Sequence, residues 1–183
     1  MKRQFFTTAA FLFAALITVP TFAQKFSDLD KSPMDAASFP ANYRDSNKLI
    51  KVTYSRPQLK GREVGNLAKN GEVWRTGANE ACELTLYVPM NVGDKLVPAG
   101  TYSFYTIPGE TEWTAIISKD LNTWGSYFYN QKNDVVRLTV PVTKGEKKLE
   151  AFGMVFTEAP KGAHLNLGWG TVRVAVPFET ATM

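Results

Sequence analysis

The chain has 183 residues, of which 44% are hydrophobic and 21% charged, with a formal net charge of +4 and a single cysteine. One cysteine excludes an intrachain disulfide framework. The small basic excess, with no basic run interleaved with aromatics, argues against a nucleic-acid-binding surface.

Lys2 and Arg3 precede an uncharged run over 5–19, and Thr21-Phe22-Ala23 puts small residues at −3 and −1 of a cleavage site before Gln24. That is the layout of a secretory signal peptide, and the apolar run is shorter than the ~20 residues a spanning helix needs. The expectation is an exported chain, periplasmic or extracellular, with no membrane span after cleavage. Without residues 1–23 the mature chain would have 160 residues (183 minus 23), one domain's worth. A domain of that size buries roughly 70% of its unfolded surface, enough for a core without staples.

Residues 24–47, with Ser32-Pro33 and Phe39-Pro40, read as a polar, extended N-terminal arm with room for one short helical turn at 34–37. From residue 48 to 178 the pattern becomes strands separated by turn signals, and 179–183 form a tail. Ile50, Val52 and Tyr54 alternate with Lys51, Thr53 and Ser55 until Pro57, which cannot donate to a ladder. Residues 59–70, with two glycines and scattered charge, read as a loop. Cys82, Leu84, Leu86 and Val88 alternate with Glu83, Thr85 and Tyr87, the period of a half-buried strand. Cys82 on the apolar parity reads as a small buried hydrophobe; a nucleophilic role would need a base, and the one histidine is His164. Further runs at 95–97, 102–107, 113–118, 124–129, 135–140, 148–156, 164–169 and 171–178 are short, aromatic or β-branched, and bounded by Gly, Pro, Asn or Asp. Nine or ten such strands at this spacing predict an all-β chain, a single antiparallel β-sandwich or jelly-roll-like domain.

Several strings are more specific than their strands require: Tyr54-Ser55-Arg56-Pro57, Lys60-Gly61-Arg62, Trp74-Arg75-Thr76-Gly77-Ala78-Asn79-Glu80, Pro98-Ala99-Gly100-Thr101-Tyr102, Thr106-Ile107-Pro108-Gly109-Glu110, Trp113 and Trp124-Gly125. Over 48–178 the chain resembles the domain of unknown function 2911 family. The resemblance implies an exported protein of a family found mostly in Bacteroidota and related bacteria, and it implies no activity. The chain departs from the family pattern at Cys82, where threonine is common, between 65 and 71, where aromatics and prolines are absent, and at Gly170, where an acidic residue is frequent.

The residues themselves nominate Arg56, Arg75, Asn79 and Glu80 as ligand contacts. Arginine forks bind carboxylates and phosphates bidentately, and Asn with Glu adds donors and acceptors for hydroxyls or amines. The competing expectation is that Glu80 pairs with Arg75 or Arg56 and fastens a loop to the sandwich. Either way the sequence predicts that Arg56 and the 75–80 loop converge. Most of the aromatics fall at core parity, whereas Trp124 and Tyr127 sit among polar residues and suit stacking against a sugar face. Two functions stay open. One is a non-catalytic binding or structural module of the cell envelope, taking a small polar ligand or glycan. The alternative is a hydrolase, glycan-directed in one version, that uses Glu80 as acid or base with Glu110 or Glu112. No metal-ligand spacing, phosphate loop or dinucleotide fingerprint is present, so no cofactor is expected.

Overall fold

The alternation at residues 82–88 folds as a strand, and it lies inside a sheet that folds over itself. The computed structural model describes residues 24–181. Among them run nine strands, β1 (Met34–Phe39), β2 (Ile50–Ser55), β3 (Cys82–Leu86), β4 (Met90–Val92), β5 (Lys95–Val97), β6 (Gly100–Ile107), β7 (Glu112–Ser118), β8 (Asp134–Ala159) and β9 (Gly162–Thr180). The helical content of the described residues is two three-residue 3₁₀ turns, Val64–Asn66 and Gln131–Asn133. All pairings are antiparallel and form one sheet in the order β1-β2-β3-β6-β7-β8-β9-β4-β5, not closed into a barrel.

β8 is the corner of that sheet. Its first residues pair with β7, its later ones with β9, and the β9 register shifts between Lys144 and Leu149 and again between Leu149 and Gly153. Bulges of this kind bend a strand and increase its twist. The two ends of the sheet consequently share one core, in which Tyr54, Leu84, Phe104 and Trp113 meet Phe152, Leu165, Trp169 and Val176. Tyr54 bridges the halves through its hydroxyl, which accepts from the Met154 backbone N–H at 2.7 Å. A single antiparallel bridge between Gln58 and Ala151 ties the segment after β2 to β8.

The strands differ from the sequence expectation in four places. The short helical turn at 34–37 is instead β1, which pairs with β2 from Met34 opposite Ser55 to Phe39 opposite Ile50. Met90–Val92, unmarked by any alternation, forms β4 against the end of β9. Residues 124–129 are not a strand, because Gly125 at φ 67° turns the backbone out of the extended region. The runs at 135–140 and 148–156 are one strand, as are those at 164–169 and 171–178. Gly145 marks no turn; it makes room for Arg173, whose guanidinium carbon would lie 2.6 Å from a β carbon at that position. The signal-peptide expectation falls on 1–23, outside the described residues, and no described helix is long and apolar enough to cross a membrane.

Candidate functional site

The loop that leads into β3 begins in the core. Trp74 is buried and stacks on Trp169 with centroids 5.5 Å apart, and its backbone exchanges two hydrogen bonds with Thr106. Thr76, fully buried, then turns at φ 53°. A β-branched residue in the left-handed region costs ~1–3 kcal/mol and persists only where its surroundings hold it. Its hydroxyl lies 3.1 Å from that of Thr106 and 3.3 Å from the Trp74 carbonyl. Gly77 lies against β2, where an added β carbon would stand 3.0 Å from the Ser55 carbonyl oxygen.

Asn79, at φ 60°, faces a second loop, 119–130. Its carbonyl accepts from Gly125 N–H at 2.9 Å, the Thr123 carbonyl accepts from Ala81 N–H at 3.0 Å, and Glu80 bridges Trp124. The second loop has its own supports. The Tyr105 and Thr123 hydroxyls are 2.6 Å apart, and Tyr129 packs edge-on against Tyr105 while donating to Asp134 at 2.6 Å. Three positive-φ residues other than glycine, Thr76, Asn79 and Asn122, therefore stand at the junction of two loops anchored on the sheet.

The predicted site residues divide. Arg56 and the 75–80 loop meet at the backbone, through Ser55 and Gly77, but their side chains part. Arg56 donates to the Phe152 carbonyl at 2.9 Å and to Asp35 at 3.0 Å, joining β2 to β8 and β1. Asn79 reaches the N-terminal arm. The Asp30 carboxyl is held below its ordinary value of 3.8 by the Ser32 backbone N–H first and by the Asn79 side chain second. Glu80 is exposed, and neither Glu80 nor Arg75 belongs to an ion pair among the described residues. The pairing of Glu80 with Arg75 or Arg56 does not form. Trp124 is 56% exposed and Tyr127 76%, while Trp74, Trp113 and Trp169 are buried, as strand parity predicts.

Two clefts flank the loop. One, of about 310 Å³, is lined by Glu80, Glu83, Ser103, Asn122 and Thr123, with Met34 of β1 at its edge. The other, of about 160 Å³, is lined by Arg75 together with Trp74, Ser126, Tyr127, Lys69 and Glu72. The carboxylate that shares a cleft with Glu80 is Glu83 and neither Glu110 nor Glu112. The outward parity of β3 marks Glu83, whereas nothing in the sequence pattern separates it from other surface carboxylates. Both side chains are exposed and make no side-chain hydrogen bond among the described residues, where nothing fixes an acid–base pair for hydrolysis. Leu121 and Phe128 on the same loop are exposed as well, an apolar and an aromatic side chain that the sequence does not single out. Cys82 is fully buried and its thiol is pushed up by burial, the setting of an inert core residue. His164 is exposed on β9, and no group of three metal-ligating side chains occurs among the described residues.

Fold and site together define an all-β domain, one antiparallel sheet folded over a single core, that carries a polar loop bridged to an aromatic one. The chain belongs to the family described as protein of unknown function (DUF2911), whose model matches residues 32–178. No curated protein and no solved structure matches it.

Proposed function

We propose that the mature chain is an exported, non-catalytic module of the cell envelope that binds a small polar ligand or glycan where the 75–80 and 119–130 loops meet. The observation that carries this reading is the exposure of Trp124, Tyr127 and Phe128 on one loop directly beside Arg75, Asn79 and Glu80. Large apolar rings left in solvent next to a polar cleft mark a binding surface. Aromatic faces take the apolar face of a sugar while the polar loop takes its hydroxyls. Arg56 serves the scaffold in this reading, because its guanidinium is already used on Asp35 and Phe152. The anchored, positive-φ backbone supports the same reading, since a loop held in an unfavourable conformation is preorganised for its ligand.

The experiment takes protein from an envelope fraction, where the N-terminus should read Gln24, and titrates it with neutral and acidic oligosaccharides in a calorimeter. Binding is expected, with Trp124→Ala weakening it about tenfold, in keeping with the ~1–3 kcal/mol of a lost aromatic anchor. Glu80→Gln should weaken it less and leave the melting temperature unchanged, because surface substitutions without partners stay within ~0.5 kcal/mol. Oligosaccharide binding that survives Trp124→Ala unchanged would remove the loop from the site.

A further inference from the structure

Arg75 is set apart from the other arginines of the described chain. Arg44 donates to Tyr43, Arg56 to Phe152 and Asp35, Arg62 to Leu59 and Gln58, Arg137 to Tyr129 and Asp134, and Arg173 to backbone carbonyls. Arg75 makes no hydrogen bond through its guanidinium to any described residue, and its Nε is buried without a partner. A buried donor left unpaired is unfavourable, and a guanidinium with no anion is a receptor for one.

Its surroundings narrow the anion. A β carbon on Gly125 would stand 3.2 Å from Arg75 Nη1 and 2.8 Å from a ring carbon of Tyr127, so guanidinium and ring lie side by side over the same glycine. Lys69, which also lines the cleft, is already paired with Glu72 at 3.6 Å. The cleft therefore carries one uncompensated positive charge, which matches a carboxylate better than a phosphate dianion. At about 160 Å³ the cleft is smaller than the ~300–1,000 Å³ that encloses a drug-sized ligand. It fits one edge of one ring, with the remainder of the ligand lying on the exposed aromatics.

We infer that Arg75 receives the carboxylate of an acidic sugar, a uronic-acid unit whose ring lies against Tyr127. This rests on the glycan reading above and specifies its ligand class. The test compares a galacturonic acid trisaccharide with its methyl-esterified form on the unaltered protein, so no variant has to fold for the first result. The acid should bind about tenfold tighter or better, because charge-assisted bonds to a guanidinium are about twice as strong as neutral ones. The advantage should shrink as salt is raised. Arg75→Gln should abolish it, and Arg75→Lys should restore only part, since an ammonium lacks the planar fork. Equal binding of acid and ester overturns the carboxylate assignment and leaves the glycan reading standing. An advantage that persists in Arg75→Gln overturns the role of Arg75, and stronger binding of a galactose phosphate overturns the choice of carboxylate. Failure of every saccharide, esterified or not, overturns both readings.

Discussion

Gly125 has two side chains where its β carbon would be. At φ 67° an alanine would occupy the left-handed region, which costs roughly 1–2 kcal/mol for a residue with a β carbon. The same methyl group would meet Tyr127 ring carbons at 2.8 and 2.9 Å and Arg75 Nη1 at 3.2 Å. Both neighbours are ends of long side chains, so they can swing away, and the backbone strain sets most of the stability cost. The displacement also takes both groups from their places in the smaller cleft. Gly125→Ala is thus expected to lower unfolding free energy by about 1–2 kcal/mol and to reduce ligand binding by more than that loss accounts for. Chemical denaturation beside calorimetric titration separates the two effects, and a variant that melts early but binds normally would place the ligand elsewhere. Thr76 is strained in the same region but differs in kind, since it is buried and its hydroxyl meets Thr106.

At the scale of elements, β8 holds the two halves of the sheet on one core, and Phe152 is its central contact. Fully buried, Phe152 meets Trp74 at 5.0 Å, Tyr54 at 5.7 Å and Trp169 at 5.9 Å. Removing a buried phenyl group from such a cluster costs about 3–5 kcal/mol, so Phe152→Ala should lose roughly a third of the about 5–15 kcal/mol that stabilises an ordinary domain. Urea unfolding measures that loss, and a change below about 1 kcal/mol would mean that the halves do not depend on this contact. The sequence made the inner strands readable because one face of each is apolar, as at Cys82–Leu86 and Ile50–Ser55. It hid β1 because Met34-Asp35-Ala36-Ala37-Ser38-Phe39 has neither the alternation nor the β-branched residues of a buried strand, and an edge strand needs neither. It split β8 and β9 because Gly145, Gly168 and Gly170 look like turns, while Gly145 and Gly168 lie close to Arg173 inside the long hairpin. The site was legible in part for a similar reason. Residue type marked Arg75 and Trp124, but the partner of each polar group is decided by strands distant in sequence. Arg56 is claimed by Asp35, 21 positions before it, and by the Phe152 carbonyl, 96 positions after it, and no local rule marks either partner.

At the scale of the whole molecule, stability in alkali follows from where the titratable groups are buried. Cys82 lies wholly inside the core, and burial, followed by the nearby Glu83 charge, raises its thiol above the ordinary value of 9.0. Tyr54 is raised above 10.0 by burial, and Tyr129 is raised above 10.0 by burial and by its bond to Asp134. Each of these groups loses its proton more easily in the unfolded chain than in the folded one. Well below pH 9, the ordinary thiol value, all are neutral in both states, and their contribution is fully present. Above pH 9 the unfolded thiol ionises while the folded one cannot, so the unfolded state binds fewer protons and stability falls as pH rises. The limiting slope is about 1.4 kcal/mol per pH unit for one fully buried group; Tyr54 adds to it above pH 10, and Tyr129, more open to solvent, adds less. Urea unfolding at pH 7, 9 and 10.5 should show the decline in the unaltered protein. Cys82→Ala begins less stable, because the core loses a sulfur atom, but its curve should be flatter between pH 9 and 10.5. With only one cysteine in the chain, added reductant should shift neither curve at pH 7. Parallel curves for the two proteins would show that the thiol is not held neutral by the core, and the alkaline loss would then belong to other groups.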